Sequence, residues 1–152
     1  MSKQSLRTAI LEAIRAEKLA MDFYLAAAAH ACNQRPKLTF KLLAREEREH
    51  ARAFYDSYPH DDLDPFEDLM GSPPDTSAEW WQELNEVMSG RFDEAEALKL
   101  SLAHEKMLES DLRETAKTIE DPEIRLVYLK NAELTHQHQL LIENDYQAIA
   151  GE

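Results

Sequence analysis

Apolar residues recur three and four positions apart along four long stretches of the chain, the spacing that gathers side chains on one side of an α-helix. The first stretch runs from about Ser5 to Ala31, with Leu6, Ile10, Ala13, Glu17, Ala20, Tyr24, Ala27 and Ala31 on its stripe. Asn33-Gln34-Arg35-Pro36 interrupts it, and Pro36 suits the first turn of a second helix reaching about Tyr58 on the stripe Phe40, Leu43, Glu47, His50, Phe54. From Pro59 to Thr76 the chain turns to Asp, Pro, Gly and Ser, which predicts a loop. A short helix follows over roughly Ser77 to Met88, carrying Trp80 and Trp81 and ending at Gly90. The third long helix, about Asp93 to Ile119, shows Leu98, Leu102, Glu105, Leu108, Leu112 and Ala116. Asp121-Pro122 restarts the chain into a fourth, with Leu126, Leu129, Glu133, His136 and Leu140 on one side. Short turns join helices one to two and three to four, so each pair is expected to be an antiparallel hairpin. About thirty residues separate helices two and three, enough to travel the length of a bundle in one long crossover.

Composition agrees with this all-α reading. The 152 residues, expected to form a single domain, include only three glycines and are rich in Ala, Leu and Glu. The net charge of −13, with no basic stripe, argues against a nucleic-acid partner. No apolar run is long enough for a membrane span, and MSKQSLRTAI has no signal-peptide core, so the expectation is a soluble cytoplasmic protein. A single cysteine, Cys32, excludes both an internal disulfide framework and a four-cysteine iron centre within the chain.

Charged residues interrupt the apolar stripes at matching points. Glu47-x-x-His50 and Glu133-x-x-His136 each set a carboxylate and an imidazole one turn apart on one helix face, and Glu17 and Glu105 sit mid-stripe on the partner helices. With all four stripes inward, four carboxylates and two histidines converge in an apolar core. Unpaired, such burial is prohibitively costly. Two divalent cations remove the cost, each taking a terminal Glu, a His and a share of two bridging carboxylates.

The stretches AIRAEKLAMDFYLAAA, LAREEREHARAFY, ALKLSLAHEKML and DPEIRLVYLKNAELTHQH resemble the four helices of the rubrerythrin and ferritin-like superfamily. The resemblance implies a ferritin-like four-helix bundle and a di-iron site, with Mn or Zn as other possible occupants. It makes Glu17 and Glu105 terminal ligands, Glu47 and Glu133 bridging ligands, and His50 and His136 the nitrogen ligands. This balanced set is nearer to that of bacterioferritin. Tyr24, seven residues after Glu17, matches a tyrosine kept beside the metals in both families; it reads either as a redox-active neighbour or as a plain core aromatic. The implied activity is that of an oxidoreductase in which Fe(II) reduces O2 or H2O2, supplied by an external electron donor. Arg48 stands where bacterioferritin has its haem-binding Met, so no haem is expected. Rubrerythrins carry a second Glu where this chain has Leu108, which implies one fixed ligand set on that side, unless Glu109 reaches the metal instead.

The remaining candidates read as structural. His30, His60 and His138 are expected at the surface, and His104 points off the stripe. Trp80 and Trp81 cover the bundle or a contact in a homodimer, the expected assembly, since little chain remains for the fifth helix of cage-forming ferritins. The acids Asp61, Asp62, Asp64, Glu67 and Asp68 read as a solvated loop, and Cys32 as a small hydrophobe near a helix end. A non-catalytic iron- or metal-handling protein of the same fold is the alternative function. A helical interaction module without metal is a third, and it leaves the buried acids without a counter-charge.

Overall fold

The computed structural model describes residues 1–151, which are all α, with no strand among them. In chain order the helices are α1 (Lys3–His30), α2 (Gln34–Ser57), α3 (Phe66–Gly71), α4 (Glu79–Met88), α5 (Glu94–Ala116) and α6 (Pro122–Ala150). The long ones form a ferritin-like four-helix bundle, and each starts on a polar cap. The side chains of Ser2, Asn33, Asp93 and Asp121 accept first-turn amide hydrogens of α1, α2, α5 and α6, and Pro122 opens α6 where no amide hydrogen is needed.

Contacts at the bundle ends fix the topology. Glu94, at the start of α5, accepts from the amides of Cys32 (2.6 Å) and Asn33 (2.9 Å) in the α1–α2 turn. Arg35, at the start of α2, donates to Asp145 near the end of α6 at 2.8 Å, and Thr39 bonds the same carboxylate. Thus α5 starts at the end where α2 starts, and α6 finishes there. Each hairpin is antiparallel, and residues 58–93 cross the length of the bundle between them.

The crossover is more ordered than its composition predicts. Within the expected loop, α3 buries Phe66 and Met70. Arg48 of α2 forks onto Glu67 at 2.7 and 2.8 Å and lies over the Phe66 ring, which pins α3 to the bundle. Further on, α4 inserts Trp80 between Phe23 (centroids 4.3 Å apart) and His104 (4.1 Å, 9° between planes). Trp80 is buried and Trp81 half-buried, so the tandem pair is a cover for the bundle and supplies no exposed aromatic face. Gly90 takes the left-handed φ of 88° just after α4, a conformation that glycine adopts without a Cβ clash. No helix among the described residues is long and apolar enough to cross a membrane.

The expected stripes of α1 and α2 face the core, apart from half-buried Leu6; on α5 Leu98, Glu105, Leu112 and Ala116 do so, with Leu102 and Leu108 half-buried at the sides. On α6 the orientation is the reverse of that expected. Leu126, Leu129, Glu133, His136 and Leu140 lie on the outside, and the helix buries Ile124, Tyr128, Asn131, Thr135, His138, Ile142 and Asp145. Both sets have helical spacing. The inner set hides its polarity: the Asn131 amide donates to the Val127 carbonyl and the Thr135 hydroxyl to the Asn131 carbonyl, each at 2.8 Å and one turn back. Polar side chains satisfied by their own helix can face a core at little cost, which leaves the leucines free to face outward.

Candidate metal centre

Midway along the bundle, five side chains from all four long helices meet: Glu17 of α1, Glu47 and His50 of α2, Glu105 of α5 and His138 of α6. The three carboxylates are between 0% and 1% exposed, and the histidines 4–5%. Glu47 is central. Its Oε1 lies 3.4 Å from His50 Nδ1 and 3.0 Å from His138 Nδ1. Glu17 flanks His50 at 3.5 Å, and Glu105 flanks His138 at 3.7 Å. The two imidazoles stack, centroids 5.1 Å apart and planes 13° from parallel, and so present neighbouring Nδ1 atoms to the same acids.

These atoms approach one another without forming aligned hydrogen bonds. Among the described residues, ten buried side-chain nitrogen or oxygen atoms lack a hydrogen-bond partner, and seven belong to this cluster: both oxygens of Glu17 and of Glu47, Glu105 Oε2, His50 Nδ1 and His138 Nδ1. A fold seldom leaves so many buried polar atoms unanswered, and here they converge on one spot. Donor atoms of Glu47, His50 and His138 all lie within 4.8 Å of one another, close enough to share an ion. Carboxylate oxygens and imidazole nitrogens suit first-row transition metals such as iron, manganese or zinc.

The outward-facing atoms are held. Tyr24 donates its hydroxyl to Glu105 Oε1 at 2.6 Å, which leaves Oε2 turned to the cluster. His138 has Nε2 3.3 Å from Glu46 Oε1. A proton on Nε2 facing that carboxylate leaves Nδ1 as a lone pair aimed inward, the tautomer a metal requires. Electrostatics without metal mark the strain. Burial, then the neighbouring charges of Glu17 and Glu105, push the Glu47 carboxyl well above the usual range. Burial alone would drive His138 down, but contact with Glu105 and the charges of Glu105, Glu46 and Glu17 outweigh it and raise the imidazole. Tyr24 is pushed well up, by burial first and then by Glu105 and Glu47.

Of the six expected ligands, the structure brings together Glu17, Glu47, His50 and Glu105, and places Glu133 and His136 elsewhere. Those two side chains are 60% and 47% exposed. Glu133 lies 3.6 Å from Arg113, and His136 is 3.0 Å from Glu109. His138, expected at the surface, takes the inward position, and Thr135, one turn before it, occupies the height at which a fourth carboxylate was expected. Leu108 lines a groove with Leu19, Trp80 and His104, and Glu109 turns to Arg113, His136 and Gln139; neither enters the cluster. His104 stacks on Trp80 as a half-buried wall of that groove, whereas His30, His60 and Cys32 are exposed.

Comparison with protein-family models gives a match described as Rubrerythrin over residues 9–142, a stretch that runs from within α1 to within α6. The chain belongs to the rubrerythrin family. No curated protein and no solved structure matches it. Membership in this family and the buried Glu47–His50–His138 group both point to iron binding. Relative to the ligand set that the resemblance implied, this rubrerythrin-family chain has one carboxylate fewer, with Thr135-x-x-His138 on the inner face of α6 in place of Glu-x-x-His.

Proposed function

We propose that the chain binds two iron ions in the core of the bundle and uses them to reduce O2 or H2O2, with electrons from an external donor. Glu17 and His50 would hold one ion, Glu105 and His138 the other, and Glu47 would be shared. The observation that carries this reading is the convergence of seven unpartnered buried donor atoms from four helices on one spot. Fe(II), when bound, supplies the electrons for the oxidant, and the anionic carboxylates favour the ferric charge that results.

The chain's own residues prepare the site. Glu46 fixes the ring of His138 so that Nδ1 keeps its lone pair, and Tyr24 keeps its own proton and donates it in the hydrogen bond that orients Glu105. The apolar side chains of Phe23, Phe40, Leu43 and Leu98 are buried in the same core, and they keep bulk water from these charges.

A second reading, a non-catalytic metal-handling protein, draws on Thr135. Three carboxylates carry less negative charge than four, so the ferric state gains less than it would in a site with the additional acid. One experiment separates the readings: metal analysis of protein from its native source, then anaerobic Fe(II) titration followed by a pulse of O2 or peroxide. Oxidation of two bound irons per chain, repeated on re-reduction, supports the redox reading. Stable Mn or Zn occupancy with no response to oxidant supports handling. A chain that takes up no metal contradicts both.

A further inference from the structure

The four long helices contribute unequally to the metal centre. Helix α2 gives an acid and an imidazole, α1 and α5 an acid each, and α6 only His138. Three residues before His138, as Glu47 stands before His50 on α2, the inner face of α6 carries Thr135, which is 0% exposed. Its hydroxyl donates to the Asn131 carbonyl at 2.8 Å. The neighbouring amides are also committed: that of Asn131 to the Val127 carbonyl at 2.8 Å, and that of Gln139 to the Glu105 carbonyl at 3.2 Å and to Glu109 at 2.9 Å. A threonine side chain stops short of the point that a glutamate's carboxylate reaches.

For two ions the chain falls short both in donors and in charge. The cluster gathers seven buried donor atoms without hydrogen-bond partners. First-row transition ions take about four to six donors each, so two of them need at least one donor from outside the chain. Metal-bound carboxylates are ionised. Glu17, Glu47 and Glu105 therefore bring three negative charges against the four positive charges of two divalent ions, with His50 and His138 neutral. Glu46, behind His138, offsets the difference only in part, because its side chain is 32% exposed and screened by water. A net positive charge in an apolar core is costly, and one monoanion cancels it.

We propose that a small exogenous carboxylate, of the size of formate or acetate, binds beside Thr135 and completes the site as its fourth acid. The inference rests on the two-ion reading of the site and adds a ligand to it. Water brings no charge, and hydroxide or chloride brings a single donor atom. A carboxylate brings the charge and two oxygen donors together, in the planar form of a glutamate head group. The anion and the second ion are thereby linked, each tightening the binding of the other by the same factor. Metal-free protein, whose core already crowds three acids, binds the anion poorly.

Anaerobic Co(II) titration of the full-length, metal-stripped protein is the test, in perchlorate medium of constant ionic strength with formate, acetate or chloride added. Bound Co(II) is read by its visible absorption, and formate by the NMR line broadening of its C–H proton against the paramagnetic ion. Formate and acetate should tighten the second Co(II) by about tenfold or more, and chloride much less. Thr135→Glu should bind two ions tightly with no added anion and should leave the formate line sharp. Thr135→Leu, which fills the same place without a charge, should also abolish the broadening, and it serves if Thr135→Glu does not fold. Broadening that persists in either variant overturns the proposal, as does chloride acting as strongly as formate, or two Co(II) ions binding equally well in perchlorate alone. That last result leaves the two-ion site standing. A second ion that never binds, with or without formate, overturns the two-ion reading together with this inference.

Discussion

Glu47-x-x-His50 and Glu133-x-x-His136 are the same four-residue pattern on two helices of one bundle, and they have opposite fates. The first lies at the centre of the core, with Glu47 between two imidazoles and no aligned hydrogen bond to either carboxylate oxygen. The second lies on the outside, each member paired with a neighbouring side chain, Arg113 or Glu109, and exposed. Spacing sets two side chains on the same helix face, but it does not say which face turns inward. That is decided by everything else on the helix. On α2 the face of Glu47 also holds Phe40, Leu43 and Phe54, and only one apolar stripe exists. On α6 there are two, and the core takes the one with Tyr128, Ile142 and self-satisfied Asn131 and Thr135.

The largest effect that sharpens this contrast comes from replacing the two glutamates in parallel. Glu47→Ala should abolish binding of at least one metal ion, and Glu133→Ala should leave metal content unchanged, both read by elemental analysis after equilibration with Fe(II) under anaerobic conditions. Equal losses from the two variants would erase the distinction.

Next in size is an attempt to move the pattern inward. Thr135→Glu should give α6 an inner carboxylate one turn before His138. Without metal it should lower stability by about 1–3 kcal/mol, because another charge is buried among three acids. With metal the loss should be recovered, since the added oxygen donors can bind. Urea denaturation with and without metal measures both. Unchanged stability of the metal-free variant would mean that Thr135 does not face the cluster.

Acidity gives a third test. The Glu47 carboxyl has its folded-state pKa well above its ordinary value of 4.5, because of burial and the charges of Glu17 and Glu105. The folded chain therefore binds more protons than the unfolded chain between those two values, and stability must fall as pH rises through that range. Metal-free protein should accordingly melt at a higher temperature as pH is lowered from neutral toward 4.5, and Glu47→Gln should flatten the trend. Metal-loaded protein should show the opposite slope, as protons displace the ions. The smallest effect is expected from His136→Ala, whose exposed ring bonds Glu109 alone: within about 0.5 kcal/mol of the parent in stability.

The architecture was readable in the sequence because it rests on local signals: the break at Asn33–Pro36, the restart at Asp121-Pro122, and a long polar gap between two hairpins. The inner acids of α1, α2 and α5 were readable for a related reason. A glutamate in the middle of an otherwise apolar stripe is too costly to bury unless something in the core answers its charge. What failed was the rotation of α6 about its own axis, which no local signal fixes. Its outer leucines look like a core stripe, and Glu133-x-x-His136 reinforced that reading. The inner face was disguised by Asn131, Thr135 and Gln139, whose hydrogen bonds to helix carbonyls arise only in the fold. One clue was present: His138 falls in step with Ile124, Tyr128, Asn131, Thr135 and Ile142. Helix α3 was missed because it is one turn and a half long and depends on Arg48 and Arg52 of α2 lying over Phe66.

The central claim is that α6 serves the metal centre through His138 and not through His136. Anaerobic Co(II) titration of His138→Ala and His136→Ala, read by the visible absorption of the bound ion and by elemental analysis, tests it most directly. The predicted result is that His138→Ala loses one of the two ions, or binds it far more weakly, and that His136→Ala titrates like the parent. Loss of an ion from His136→Ala, with full binding by His138→Ala, would contradict it.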